Sequence, residues 1–397
     1  MPSPRVLFLQ PSAQPPGGGN GVIAWMIHAL QDEYDVSLLS LERFDAESIN
    51  RFYGTAIEAS KVHAERAYPV LNRVFERIPL PLALLKSSLL IRRLREVHGA
   101  FDLIITANNE ANLHRPGIQY VHYPTHLRPR PDVDLRRYHH ERLMTPYYRL
   151  CTWLSGVTAE GIKRNLTLVN SDWTGAHMAA AYPGIATTTL YPPVAGDFPD
   201  VPWSEREEGF IAIGRLAPEK DYDRIFDILA GVRRTRPQLR LQLVATRGLE
   251  PYEAHVRARA EAERSWVTVH DDLPRTELVR LMSRQRYGIH AMAEEHFGMG
   301  VAEMVRAGCL VWVPNGGGQV EIVGREERLL YRDNEDAVTK ITAALDDESL
   351  ARGLREHLEP YRERFSERVF VARLRRLVAD FIAERQARPV TVAEVSR

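Results

Sequence analysis

Two glutamates, Glu295 and Glu303, carry the plainest chemical signal in this chain. They sit in Ala293-Glu294-Glu295-His296-Phe297-Gly298-Met299-Gly300-Val301-Ala302-Glu303, with seven residues between them. An apolar run, Tyr287 to Met292, leads in like a strand, and Gly300 to Ala307 leads out like a helix. The first carboxylate then lies at a strand's C-terminal edge, and the second lies in the first turns of the next helix. Between them a small-residue turn presents backbone N–H groups, and a helix start favours an anion. Two hydroxyl-binding carboxylates flanking a phosphate cradle suit a sugar nucleotide. The same pair beside a cleft would also suit general acid–base work, as in a hydrolase.

Cations stand ready to complete such a site. Gly214-Arg215-Leu216-Ala217-Pro218-Glu219-Lys220-Asp221 follows a strand, so Arg215 and Lys220 project from its carboxyl end. A guanidinium fork with an ammonium point charge makes a diphosphate clamp; the plain alternative is a pair of solvated loop cations. Asn315-Gly316-Gly317-Gly318-Gln319 is a glycine-rich turn at the same edge, either a tight turn or a backbone contact to sugar or phosphate. Near the N-terminus, Pro15-Pro16-Gly17-Gly18-Gly19-Asn20-Gly21 precedes an apolar-periodic helix, Val22 to Leu30. Gly18 and Gly19 would let backbone approach a phosphate, although the order does not fit the dinucleotide fingerprint. His122, in Tyr120-Val121-His122-Tyr123-Pro124, ends a strand facing the same cleft; His126 is a weaker candidate. Asp132-Val133-Asp134 and Asp221-Tyr222-Asp223 have the spacing of a divalent-ion pair. The first lies in a Pro/Arg-rich loop and the second reads as a helix N-cap, so both are taken as structural. No His/Cys cluster has metal spacing.

Alternating short apolar strands and amphipathic helices must position these residues, the pattern of parallel sheets covered on both faces. The first half carries strands at Val6–Leu9, Val36–Leu39, Leu103–Ile105, Gln119–His122, Leu166–Asn170 and Thr188–Tyr191. Residues 194–207, rich in Pro, Asp and Glu, read as an interdomain linker. The second series has strands at Gly209–Ile213, Leu239–Val244, Val267–Val269, Tyr287–Ala291, Leu310–Val313 and Leu329–Tyr331. Its helices are expected at Asp221–Arg234, Tyr252–Glu263, Arg275–Ser283, Gly300–Ala307 and Glu335–Leu345. The expected organisation is an N-terminal domain 1–193, the linker, and a nucleotide-sugar domain 208–366. A final helix, 367–388, would pack back on the first domain. Two doubly wound domains facing across a cleft bind ligands at the carboxyl ends of their strands.

Composition narrows the setting. Lys+Arg and Asp+Glu both number 52, so net charge points to no nucleic acid. Two cysteines, Cys151 and Cys309, make no disulfide framework and agree with a reducing cytoplasm. Met1–Arg5 runs into an apolar strand rather than a secretory leader. The longest apolar stretch, Leu80 to Ile91, is interrupted by Pro81 and Lys86 and falls short of the ~20 residues of a membrane span. With Arg92, Arg93 and Arg95 it reads either as a core helix with a basic end or as a segment that dips into an anionic membrane surface. Arg128-Pro129-Arg130 and Arg136-Arg137 add nearby cations.

Together these motifs resemble glycosyltransferase family 4, retaining enzymes of the GT-B fold, over nearly the whole chain. Glu295 through Glu303 is the strongest marker and Gly214-Arg215 with Lys220 the second. Asn170-Ser171-Asp172-Trp173-Thr174 and Tyr191-Pro192-Pro193 are further markers. Tyr120-Val121-His122-Tyr123-Pro124-Thr125 and His296-Phe297-Gly298-Met299-Gly300-Val301-Ala302-Glu303 resemble the family's α-1,2-mannosyltransferases of lipid-linked oligosaccharide. The resemblance implies transfer of a sugar, best read as mannose from GDP-mannose, to a hydroxyl of a glycan, glycolipid or small molecule. A UDP-sugar donor is the nearest alternative; a sugar-nucleotide epimerase and a non-catalytic binding protein are more remote. The resemblance gives Glu303 the ribose hydroxyls and Glu295 the sugar hydroxyls. Arg215, Lys220 and the backbone of His296, Phe297, Gly298, Met299 and Gly300 take the phosphates, and His122 lies near the sugar. Val22, Ile23 and Ala24 stand where the family carries a polar residue after the first glycine turn, leaving that helix its backbone alone. No metal or other cofactor is implied. The expected setting is the cytoplasm, with peripheral contact at the membrane's inner face. Acceptor reading is expected of segments 40–100 and 124–150.

Overall fold

The computed structural model describes residues 3–75, 77, 82–125, 141–246, 248 and 250–387. His126, Arg128-Pro129-Arg130, Asp132-Val133-Asp134, Arg136-Arg137, Leu80 and Pro81 lie outside them. The chain divides into two compact units. One comprises residues 1–170, 174–193 and 367–397; the other comprises Ser171–Trp173 and Val194–Ser366.

The first unit runs β1 (Arg5–Leu9), α1 (Gly18–Leu30), β2 (Asp35–Ser40), α2 (Ala46–Tyr53), β3 (Val62–Arg66), α3 (Pro69–Phe75) and α4 (Ala83–Val97). It continues with β4 (Leu103–Thr106), β5 (Ile118–Val121), α5 (Glu141–Ser155), α6 (Ala159–Lys163), β6 (Leu166–Val169), α7 (Asp172–Ala181) and β7 (Thr187–Thr189). Its sheet is parallel throughout, in the order β3-β2-β1-β4-β5-β6-β7. Val6 to Leu9 and Leu103 to Thr106 are buried, as expected of strands covered on both faces. The edge strand β3 escapes the sequence reading because only Val62 is buried and its other four residues, three of them polar, are exposed. Leu90, Ile91 and Leu94 of α4 pack with Leu7, Leu9, Leu39 and Ile104, so this helix contributes to the core.

The second unit runs β8 (Glu207–Arg215), α8 (Tyr222–Arg233), β9 (Leu241–Thr246), α9 (Tyr252–Ala262), β10 (Val267–Asp271), α10 (Arg275–Arg284) and β11 (Gln285–Ile289). Then come α11 (Met299–Arg306), β12 (Leu310–Pro314), α12 (Gln319–Ile322), β13 (Leu330–Tyr331), α13 (Asn334–Asp346) and α14 (Glu348–Arg364). The sheet is again parallel, in the order β10-β9-β8-β11-β12-β13. Asp221 caps α8 through its side chain, which accepts from Arg224 N–H at 3.3 Å. That Asp-x-Asp string is therefore a helix start, as its composition implied.

Residues 194–206 do not hang as a loose connection. Val194 N–H donates to Phe365 O at 2.9 Å, and the buried Arg206 donates to the carbonyls of Val201, Gln285 and Ala307. The Pro- and acid-rich segment is packed into the second unit. The last helix, α15 (Glu367–Ala387), returns to the first unit, where Arg375 donates to Ala29 O at 2.8 Å and Arg385 to Pro116 O at 2.6 Å. Among the described residues no helix is long and apolar enough to cross a membrane.

Candidate active site

Each sheet has one point where its strand order reverses direction, between β1 and β4 in the first unit and between β8 and β11 in the second. Crevices at the carboxyl ends of such neighbours are where open α/β sheets take ligands. In the second unit, Arg215 ends β8, and Lys220 closes the short turn that follows. Just past β11 come His290 and then Glu295.

Lys220 Nζ donates to Oε2 of Glu295, and His290 Nε2 lies 3.2 Å from that same oxygen. Both partners of the ion pair are only 17% exposed. Burial alone would raise the Glu295 pKa, but Lys220 and His290 outweigh it and hold the carboxyl below its usual range. Burial lowers the His290 pKa, which keeps this imidazole neutral. Among the described residues no hydrogen bond reaches Oε1 of Glu295, which leaves that oxygen to accept from a ligand hydroxyl. Arg215 stands apart from this group: its side chain is 57% exposed and pairs with Glu219 at 3.2 Å.

The loop carrying Glu295 is supported from beneath by the second glycine turn. Gly318 N–H donates to Glu295 O at 2.7 Å. A Cβ on Gly317 would come within 2.4 Å of Glu295 O, and one on Gly318 within 2.3 Å of His296 O. Gly317 also has φ +71, where a side chain is strained. Gln319 Nε2 ties the same region to Met292 O at 2.8 Å. Of the two sequence readings of this turn, the structure favours a structural one: its glycines let one backbone lie against another.

Gly298, at φ 108, opens α11 and lies against Cγ of Glu295; the helix start has no side-chain cap. Gly300 sets the first turn of α11 against Ile213 of β8, where a Cβ would stand 3.2 Å from the carbonyl. Amides at such an uncapped start suit an anion. Phe297 is buried and Met299 begins the helix. His296 stacks on Trp173, with centroids 5.6 Å apart, and its carbonyl accepts from Ser171 Oγ at 2.6 Å. Glu321 accepts the N–H groups of Asp172 and Trp173, each at 2.9 Å. Glu303, on α11, is held by Nη1 of Arg275, whose Nη2 donates to Ala195 O at 2.5 Å.

His122, Gly18 and Gly19 belong to the first unit. Gly18 and Gly19 form the first turn of α1, which begins earlier than periodicity implies. A Cβ on Gly19 would lie 3.2 Å from His122 Nε2, so glycine there lets the helix start approach the imidazole. His122 Nε2 is 3.1 Å from Ala107 O, and a carbonyl only accepts, so this nitrogen carries the proton. Tertiary structure thus brings Lys220, Glu295, Phe297–Gly300 and Glu303 into one unit and adds His290 and Arg275. The sequence reading carries strand β11 on to Ala291 and so leaves His290 inside it; the structure ends β11 at Ile289. Nothing in the sequence distinguishes Arg275 from other helix-opening arginines.

Residues 196–365 match the family model for glycosyl transferases group 1. The GDP-Man:Man(3)GlcNAc(2)-PP-Dol alpha-1,2-mannosyltransferase of Xenopus tropicalis is 29% identical over 224 residues, 52% of this chain and 45% of that protein. The Homo sapiens protein of the same name is 28% identical over 188 residues, 43% of this chain and 38% of the other. The match thus spans less than half the length of either relative. Among solved structures, Anabaena HepE in complex with UDP and glucose aligns over 95% of this chain and 100% of its own, with TM-score 0.64 and 16% identity. WaaG, a glycosyltransferase involved in lipopolysaccharide biosynthesis, aligns over 95% and 99%, with TM-score 0.62 and 15% identity. Those two likenesses concern the fold, two doubly wound α/β units of the GT-B kind. Residues 196–365, most of the second unit, are thus similar to glycosyl transferases group 1.

Proposed function

We propose that this protein is a retaining mannosyltransferase that moves mannose from GDP-mannose to a hydroxyl of a lipid-linked glycan. The observation that carries the reading is the Lys220–Glu295 pair at the strand-order reversal of the second unit, beside the uncapped start of α11. Oε1 of Glu295 takes a hydroxyl of the donor sugar. Lys220 and the α11 amides take the diphosphate, with Arg215 swinging in from the exposed position it has here. Glu303 takes the ribose hydroxyls. The names of the Xenopus tropicalis and human relatives support GDP-mannose and a dolichol-linked acceptor.

In the reaction, the bond from the anomeric carbon to the diphosphate oxygen breaks, and a bond to the acceptor oxygen forms on the same face. The departing phosphate oxygen receives the acceptor proton. Negative charge growing on the diphosphate is neutralised by Lys220, Arg215 and backbone N–H groups. Protein cations do this work, so no metal is required. Glu295 acts by holding the sugar, and His122 sits on the acceptor side. A lipid-linked acceptor places the enzyme peripherally at a membrane.

A thermal-shift screen with GDP, UDP and ADP, then with their sugar conjugates, tests the donor, because a ligand of the native state alone raises its stability. GDP and GDP-mannose should stabilise most; selective stabilisation by UDP would replace the donor. Transfer of labelled mannose to a polyprenyl-diphosphate glycan, undiminished by EDTA, tests the rest. Release of GDP without any acceptor-dependent product would overturn transfer.

A further inference from the structure

A helix that packs on one side ordinarily turns polar residues to water. In α5 the side facing α4 buries Cys151, Leu154 and Ser155, while Pro146, Arg149, Leu150 and Trp153 form the outward stripe at helical spacing. Trp153 is 66% exposed and Leu150 46%. Among the described residues only four large hydrophobic side chains are exposed to this degree, and two are these neighbours on one helix turn. The Arg92 guanidinium lies 5.3 Å from the centroid of the Trp153 ring.

The surroundings of this stripe are basic. Helix α4 carries Lys86, Arg92, Arg93 and Arg95 against one acid, Glu96. Arg93 takes up Glu96 and Glu65, and Lys86 lies 3.7 Å from Glu42. Arg92, Arg95 and Arg149 form no ion pair with any described carboxylate. Beside Trp153 opens a groove of about 570 Å³, lined by Tyr148, Arg149, Trp153, Val157, Ile162 and Tyr182. One residue of that groove, Tyr182, is tied to the segment that follows β5. Tyr182 OH donates to Glu110 at 3.2 Å, and the other Glu110 oxygen accepts Thr125 N–H, three residues beyond His122.

We propose that the outward stripe of α5, with Arg92 of α4, is the face on which this protein docks to an anionic lipid surface. Trp153 and Leu150 enter the interfacial layer, where an indole is favoured, and Arg92, Arg95 and Arg149 meet lipid phosphates. Charge complementarity selects lipid over a second copy of the chain, whose matching stripe would be equally basic. The assignment rests on the peripheral-membrane reading above and names the residues that produce it. It also moves that contact away from Leu90, Ile91 and Leu94, which the core occupies.

Sedimentation of the purified full chain with vesicles of phosphatidylglycerol and phosphatidylcholine, or of phosphatidylcholine alone, tests the face. Wild type should partition to the anionic vesicles, with a blue shift in tryptophan emission that is missing in W153F. W153A should lower partitioning roughly tenfold, and R92Q/R149Q roughly fivefold per cation removed. All these side chains are exposed, so unchanged melting temperatures and GDP binding should accompany the loss. Wild-type binding that persists in both variants would overturn the face while leaving a peripheral enzyme. Absence of vesicle binding by wild type would overturn both the face and the peripheral reading, and leave the donor assignment to the nucleotide screen. Self-association through the stripe, lost in W153A without any vesicle binding, would also overturn it in favour of a second copy.

Discussion

Lys220 and Glu295 lie 75 residues apart in sequence and share one ion pair, because β8 and β11 are neighbours in the sheet. The pair concentrates opposite charges at the strand-order reversal of the second unit. Its low exposure gives it a structural consequence that the motif alone does not reveal: removal of the ammonium strands a mostly buried carboxylate.

Lys220→Ala should therefore lower both turnover and stability. Loss of a cation aimed at developing charge typically costs ~10²–10³ in kcat. Loss of the partner of a buried carboxylate costs about 1–3 kcal/mol. The double variant K220A/E295Q should recover part of the stability and none of the activity. Urea unfolding and initial-rate assays of the four proteins in the cycle measure both quantities. Full wild-type turnover in K220A would remove Lys220 from the site. An unchanged unfolding midpoint would show that the ion pair does not contribute to the fold.

Arg275 orients Glu303, so R275Q should weaken donor binding through the ribose. Donor KM should rise roughly tenfold while kcat stays within about twofold, the pattern of lost uniform binding. The diagnostic readout is a donor lacking the 2′- or 3′-hydroxyl. If Glu303 serves those hydroxyls, R275Q should cost little with the deoxy donors. An equal penalty with every donor would mean that Arg275 acts on the fold and not on the ribose contact.

Acid should destabilise the protein from about pH 6.5 downward. His290 and His114 both have pKa values lowered from the ordinary 6.5 by burial, His114 to about 4. Above pH 6.5 each is neutral in folded and unfolded chains and contributes nothing. Below it, the unfolded chain binds protons that the folded chain refuses, so stability falls as pH falls. Glu295 adds a second loss below its ordinary 4.5, because its folded value is lower still and its stabilisation disappears as pH drops through that value. Melting temperature should be flat above pH 7, decline between pH 6.5 and 4.5, and decline further below. H290Q should have a shallower slope between pH 6.5 and 5; a slope identical to wild type would contradict a neutral buried His290.

Gly317→Ala tests the support under the donor loop. A methyl group at φ +71, with Glu295 O at 2.4 Å and Glu295 N at 2.6 Å, forces the two turns apart. The expected cost is about 1–3 kcal/mol in stability, together with a raised donor KM. Gly353→Ala, at a position of α14 with open space around it, is the control and should be neutral or slightly stabilising. A G317A protein with wild-type donor KM would show that the glycine turn does not set the position of Glu295.

Much of this architecture is legible in the order of residues alone. Strands such as Val6–Leu9 and Leu310–Val313 announce themselves because apolar runs bounded by turns are local signals. Edge strand β3 does not, because four of its five residues face solvent and carry no apolar pattern. Helix α14 is equally hidden: Gly353 and Pro360 interrupt it, and only Ala351, Leu354 and Leu358 are buried. Arg215 and Lys220 read alike as loop cations, yet one is exposed beside Glu219 and the other is largely covered against Glu295.

Periodicity, turn residues and motif spacing act over a few neighbouring positions. The amino-acid sequence is therefore enough to state the order of most core strands and to nominate Lys220, Glu295 and Glu303 as candidates. Which of those side chains meet is a matter of tertiary structure. Strand order depends on pairing between distant segments, and no local pattern states that β8 lies beside β11. From that adjacency follow the Lys220–Glu295 pair and the neutral His290 behind it. Long-range packing likewise sets Arg275 on Glu303 and the glycine turn beneath Glu295.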